Sequence, residues 1–287
     1  MGGGLKPNDP RRFVLEAMIG AMHADGEVDA RETAVLQHHL AQHPLFYDLG
    51  ATAARTLISI ATDAIQFSVT AARRAPMIAK GLPARIHRLA AYAMAAEVAI
   101  ADQSLHEGEL AFLEALRESL RISADEADEI MRVASAGKIG RYLDDLYVRV
   151  KSLVPHACEL FALRALMRNT VTKEHRMRVR DFFEAVPDLQ LTTHDVDSEL
   201  LRTFHRRREP TAMTLDELIV VAHRVPEYID RYWLTVYTLV AEAPEKVPQW
   251  RTRPFTRVVQ TAFGITDADM ECAAIDALRF PAALPRP

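Results

Sequence analysis

The sequence predicts an all-α fold of two tandem helical domains, each built from two related helix-loop-helix units. Three observations carry that prediction. Apolar residues recur at helical spacing in helix-length windows, glycine is scarce (11 in 287 residues), and one loop pattern repeats down the chain. With 49% hydrophobic residues the chain can fill one large core or two modest ones.

The first helix is announced by Pro10 after Asp9, a proline suited to an opening turn, and runs through the alanine-rich "FVLEAMIGAMHA". It stops at Asp25-Gly26, where glycine can take the left-handed conformation that ends a helix. Asp29-Ala-Arg-Glu32 then reads as a capping box opening the second helix, with Val28 plugging the space between the two. The unit recurs at residues 95–109, "AAEVAIADQSLHEGE", where Asp102, Leu105 and Glu109 repeat the Asp-x2-aliphatic-x3-Glu spacing of Asp25, Val28 and Glu32. His106 holds the N-cap place there. "LAFLEALRESL" follows as an amphipathic helix, and Ser123 with Glu126 caps the next one.

The same grammar returns near Val171 and Val247 with the acids lost. Successive markers within each half lie 77 and 76 residues apart, and the halves are offset by 143 and 142. That near-equality predicts a duplicated two-unit domain, 1–138 and 139–287, divided near the helix-breaking "ASAGKIG" at 134–140. Thr214 with Glu217, and more weakly Thr266 with Asp269, mark further helix starts.

The net charge of −4 argues against general nucleic-acid binding through a basic surface. Residues 1–138 hold 14 basic and 18 acidic side chains, the remainder 21 of each, so the acidity sits in the half with the repeated acidic loops. Cys158 and Cys272 lie in apolar helical windows and are expected to be buried thiols in a reducing compartment. "MGGGLKPNDP" has no apolar core and is expected to be a flexible tail, not a signal peptide. The longest apolar run, 89–100, is too short for a bilayer and contains Glu97, so a cytoplasmic protein is expected.

Capping accounts for Asp29 and Glu32 but not for Asp25. A carboxylate at the C-terminal end of a helix meets the unfavourable end of the dipole, so Asp25 and Asp102 must bond the turn or meet a cation. An EF-hand puts Gly26, Val28 and Glu32 in register but leaves Ala21 and His23 in the places of the first oxygen ligands, and is rejected. A looser hard-cation site remains open, with Asp25 and Glu32 from one loop and Asp102 and Glu109 from the other. Glu27 or Asp29 would stand nearby, and Ca²⁺ or Mg²⁺ would be the ion. Capping with solvated acids is the simpler reading.

"AMIGAMHADGEVDARE" and "AAEVAIADQSLHEGE" resemble the two signature segments of the TerB-like (tellurite-resistance B) family, well over about residues 10–135 and over 150–280 only as a divergent second copy. The resemblance implies a compact all-helical, non-enzymatic cytoplasmic module linked to tellurite and other chemical stress. It also implies a protein partner, in some members membrane association, and a metal-binding role for the acidic positions, here Asp25, Glu32, Asp102 and Glu109. In the second copy those positions become Arg168, His175, Pro244 and Arg251, so that half is read as scaffold or partner surface.

Other constellations carry less. His39 and His43 sit one helical turn apart beside His38 and could share a transition metal, but no fixed carboxylate or cysteine completes the set, and a solvated or interfacial helix end is expected. Inward-facing Glu-x-x-His pairs for a di-iron bundle do not recur. His156 and Cys158 point apart on a helix, and no nucleophile elbow, phosphate loop or dinucleotide fingerprint is found. Arg206-Arg207-Arg208 and Arg73-Arg74 read as solvated basic patches, and Trp233 and Trp250 as core. The functional expectation is a binding or scaffolding module with a divalent-cation site. A metal-free interaction scaffold, and an enzyme with an unrecognised hydrolase or metal site, are the alternatives.

Overall fold

The structure, a computed structural model, describes residues 9–26, 28–47, 49–167, 198–199, 201–202, 215–240 and 244–279. Among the described residues every regular element is a helix, as the glycine count and periodicity predict. The chain divides into two compact units, residues 1–146 and 147–287.

In the first unit the helices are α1 (Pro10–Met22), α2 (Ala30–Gln42), α3 (Ala51–Gln66), α4 (Ala75–Gly81), α5 (Arg85–Ala99), α6 (Glu107–Leu120) and α7 (Ala124–Ser135). Short 3-10 turns at Pro44–Phe46 and Ala71–Arg74 join α2 to α3 and α3 to α4. The helix starts follow the sequence signals. Asp9 caps α1 through the Arg11 amide at 3.0 Å with Pro10 in the first turn, and Ser123 Oγ accepts from the Glu126 amide at 3.3 Å at the start of α7. Gly137, at φ +64°, closes α7.

The core of this unit is the packing of α1 against α5. Every residue of α1 from Phe13 to Met22 is buried, and all of α5 is buried except Glu97. Alanines dominate α5, and short side chains let neighbouring helices approach it from several sides. The one acid inside α1, Glu16, is fully buried. It accepts from Arg12 Nε at 2.8 Å and from Arg74 Nε and Nη2 at 2.8 and 3.2 Å. A buried carboxylate is tolerated only with such partners, so Arg74 belongs to the core and not to a solvated basic patch. Arg85 on α5 pairs with Glu126, the capping residue of α7.

The second unit holds α9 (Val154–Met167), α10 (Leu215–His223), α11 (Tyr228–Val240), α12 (Pro254–Phe263) and α13 (Asp267–Arg279), with a 3-10 segment at Pro244–Thr252; α8 (Ile139–Ser152) leads into it. α11 is its most buried helix, packed on α12 and α13. Trp233 and Trp250 are buried as expected, and Thr266 Oγ1 accepts from the Asp269 amide at the start of α13. Cys158 is a buried free thiol, its pKa pushed up to about 12 by desolvation. Cys272, expected to be buried too, is partly exposed and in no disulfide, because the pattern of α13 places it at the edge of the buried face. The predicted cap at Thr214, the marker Val171 with Arg168 and His175, and Arg206–Arg208 lie outside the described residues.

One tight fit in the first core is at Gly20 of α1, where a Cβ would stand 2.5 Å from the ring of the fully buried Phe112 on α6. Gly20→Ala is expected to cost about 1–3 kcal/mol by overpacking, measured as a lower denaturant midpoint at unchanged slope. Combination with Phe112→Leu should return part of the loss, because the clash is with the ring itself.

Candidate functional site: two converging acidic loops

The two acidic loops leave the C-terminal ends of α1 and α5, the pair at the centre of the first unit, and each feeds the next helix. Gly26, at φ +91°, takes the left-handed conformation expected of it. Asp29 then caps α2, accepting from the Arg31 amide at 2.6 Å, while Glu32 Oε2 accepts from the Asp29 amide at 2.8 Å. The second loop repeats half of this: Glu109 Oε2 accepts from the amide of His106, which holds the N-cap position, at 2.7 Å. The capping reading therefore holds for both glutamates.

Three contacts bring the loops together. The α-carbon of Gly108, in the first turn of α6, lies against the Ala24 carbonyl so closely that no Cβ would fit. Arg31 Nη1 donates to the Asp102 carbonyl at 3.2 Å, tying the start of α2 to the second loop. His106 Nε2 lies 4.0 Å from Asp25 Oδ2 and 3.8 Å from Asp102 Oδ2, so an imidazole stands between the two aspartates. Asp25 thus faces the other loop. Asp102 is settled locally: its oxygens accept from the Ser104 amide at 2.8 Å and the Ser104 hydroxyl at 2.5 Å, the short-range solution open to an aspartate in a turn. Those bonds, the hydroxyl's first, hold its pKa below the ordinary value.

Val28 departs from expectation. It is 46% exposed and plugs nothing, and Leu105 is half-buried. The two loops meet instead through the Gly108–Ala24 backbone contact. Gly108 is the residue that sequence reasoning missed. A glycine two positions into a helix, where no turn needs it, is itself a sign of close backbone approach.

Convergence has an electrostatic consequence. Glu32 and Glu109 are 5% and 2% exposed, and each holds a carboxylate under the cap of its helix. Burial drives the Glu32 pKa up to about 7, against the lowering effect of its Asp29 amide bond, and the charges of Glu109, Asp25 and Asp102 push it the same way. Glu109 is raised for the same reasons, burial first, then Asp25 and Asp102. The four acids singled out by spacing therefore share one field.

As possible ligands the four carboxylates offer only hard oxygen donors, which suit Ca²⁺ or Mg²⁺ and not a soft transition metal. Their present spacing is another matter: among the described residues no three His, Cys, Asp or Glu side chains stand together as a metal-holding group. One oxygen of each glutamate and both of Asp102 are already engaged by the loops.

Elsewhere, the histidines of α2 take the interfacial of the two places expected for them. His38 is exposed, but His39 and His43 are buried, and His39 Nε2 is 2.7 Å from Glu97 Oε2 on α5. Burial of this end of the helix, and not solvation, is what the fold imposes. The carboxylate that neighbouring sequence did not supply comes from 58 residues away. In the second unit Arg251, at a position aligned with an acid, pairs with Glu271 and stacks over Trp250 at 4.6 Å.

A raised carboxylate pKa means the folded state holds its proton where the unfolded state has lost it. The Glu32 contribution is therefore fully present below about pH 4.5 and is lost as the pH rises to about 7. Glu32→Gln keeps an acceptor for the Asp29 amide and removes the charge. The variant is expected to be more stable than the parent at pH 8 by about 2–3 kcal/mol, with the gap closing by pH 4, in urea titrations at the two pH values.

No curated protein and no solved structure matches this chain. A family model does: residues 11–132 match the model described as tellurite resistance protein TerB, a span that begins in α1, includes both acidic loops and ends in α7. Over residues 11–132, in its N-terminal half, this chain is similar to the TerB family.

Proposed function

We propose that the protein is a non-catalytic binding module of the response to tellurite and related chemical stress, with the converged acidic loops as a recognition surface for a hard divalent cation. The observation that carries this reading is the convergence of Asp25, Glu32, Asp102 and Glu109, whose charges add to burial in raising the Glu32 pKa to about 7. A cluster whose members resist joint ionisation gains most from a cation, because an opposite charge nearby favours their ionised forms. Ca²⁺ or Mg²⁺ would be held by those four residues and would supply positive charge, nothing more. A cytoplasmic location accords with this role; among the described residues no helix is long and apolar enough to cross a membrane.

A metal-free scaffold is the second reading, and His106 favours it: its imidazole occupies the place between Asp25 and Asp102 where a counter-charge is needed. For either reading a partner surface is available at the turn after α3. There Phe67 and Val69 are 90% and 79% exposed, the two most exposed large apolar side chains among the described residues, and Arg73 and Lys80 follow them on the exposed face of the next helical stretch. That surface suits a protein partner or peripheral contact with a membrane. Residues 147–287, read as a divergent copy without the acids, would serve as scaffold.

Thermal unfolding of the chelator-treated protein, with and without millimolar Ca²⁺, Mg²⁺ or Zn²⁺, separates the two readings. An ion that binds the native state at a hundred times its dissociation constant adds about 2.7 kcal/mol of stability. The expected result is a rise with Ca²⁺ or Mg²⁺ that Asp25→Asn/Asp102→Asn abolishes. No rise with either ion overturns the cation site and leaves the scaffold.

A further inference from the structure

The buried face of α2 follows the spacing 32, 36, 39, 43, one helical stripe from the acidic loop to the residue that ends the helix. Its upper half is Glu32 and Leu36; its lower half is two histidines. Aliphatic side chains would be the ordinary choice where a helix docks on an alanine-rich partner, since a buried imidazole must give up water and forgo its charge.

The seam continues onto α5. His39, 4% exposed, meets Glu97 through Nε2. His43, 6% exposed, has its ring 6.4 Å from that of His39 and 6.1 Å from that of Phe46. Its Nδ1 accepts the Leu45 amide at 3.2 Å and so caps the 3-10 turn that carries the chain away from α2. His87 on α5 is 2% exposed, and its charge is felt at His43. Three imidazoles from two helices thus share one buried seam, with Glu97 beside His39 at one end.

We propose that the seam of His39, His43 and His87 is an acid-triggered release for the C-terminal end of α2 and the 3-10 turn behind it. A proton on His43 Nδ1 removes the acceptor of the Leu45 amide, so protonation breaks the cap as well as charging a buried ring. His39 from α2 and His87 from α5 both oppose a charge on His43, and the Phe46 ring beside it offers none to offset one. The pKa of His43 accordingly falls to about 4, burial first, then His39 and His87.

The sign follows. The released helix end protonates His43 near its ordinary value of 6.5 and the docked one only near 4. Docking is therefore fully favoured above pH 6.5 and weakens as the pH falls through that interval. Between pH 7 and pH 5 the opening equilibrium rises about twentyfold by this linkage. Apolar burial along α2 itself is slight, since only Glu32, Leu36 and His39 of that helix are buried, and the apolar hold on the segment is that of Leu45 and Phe46 in the turn that His43 caps. Release uncovers the strip of α5 beneath it, while α1 stays packed on α5.

Amide hydrogen exchange on the full chain, corrected for intrinsic rates, tests this. The expected result is a fall of about twentyfold in protection over residues 39–47 from pH 7 to pH 5, with protection over residues 14–21 unchanged. In His43→Asn, which keeps a short acceptor for the Leu45 amide and cannot titrate there, the fall should shrink to threefold or less. Loss of protection everywhere at once, an equal fall in the variant, or no fall in the parent would each overturn the proposal. Should His43→Asn fail to fold, an NMR titration of the parent decides: a His43 ring protonating at its ordinary pH with the helix docked overturns the release, and one that protonates only together with loss of the Leu45 amide's protection supports it.

Discussion

The contact on which the candidate site depends is between two backbones, the Gly108 α-carbon against the Ala24 carbonyl. Neither group carries a charge, yet their approach decides where four charges stand. Each acidic loop leaves one of the two innermost helices of the unit, α1 or α5, and each closes with a glutamate that caps the next. Once the end of α1 and the start of α6 touch, the second carboxylate of each loop has nowhere to go except into the field of the other. The crowding of Glu32 and Glu109 is thus a result of close helix packing before it is a matter of ligand design. The alanines of α5 and the glycines at 20 and 108 are what permit packing that close.

α2 is held at its two ends by groups that titrate in opposite senses. At its start, a buried Glu32 makes folding easier as protons are added; at its end, a buried His43 makes it harder. The two windows, from about 4.5 to 7 and from about 4 to 6.5, overlap almost fully. In a measurement of overall stability the two effects largely offset one another, so a flat pH profile for the unit would hide two steep local ones. Only a method with residue resolution, or a variant that removes one end, separates them. The same offset means that acid tightens the loop end of the helix while loosening the far end, which is a change of balance along one element and not a loss of fold.

What the sequence disclosed and what it concealed divide by range. Capping is local, so Asp9, Asp29, Glu32, Ser123 and Glu126 could be placed from neighbours three residues apart, and the structure puts them there. The pairing of Asp25, Glu32, Asp102 and Glu109 was legible because a repeated spacing implies repeated geometry, although spacing alone says nothing of distance between the copies. Val28 misled because an isolated aliphatic residue looks like a plug, whereas it lies 46% exposed. The histidines could be placed only as solvated or interfacial. Their neighbours on the chain are polar, and the carboxylate that receives His39 is 58 residues away. Their register with Glu32 and Leu36 did carry the signal, since a 4-3-4 spacing marks one face of a helix whatever the side chains on it.

A cluster of carboxylates that raises its own proton affinity costs the folded state stability at neutral pH, and uncharged capping residues would do the same structural work. Glutamine at position 32 would close the capping box as well as glutamate does, without the cost of a buried charge. Nothing in the fold requires four acids here: α1 and α5 pack through alanine, and the loops are joined through Gly108, Arg31 and His106. A feature that the fold can do without, and that opposes its stability, is where a functional constraint is most readily located. The acidic loops meet that description and the buried Glu16 does not, because Arg12 and Arg74 surround it and make it part of the core. The distinction between the two kinds of buried acid, one fully paired and one crowded by its own kind, is what directs attention to the loops.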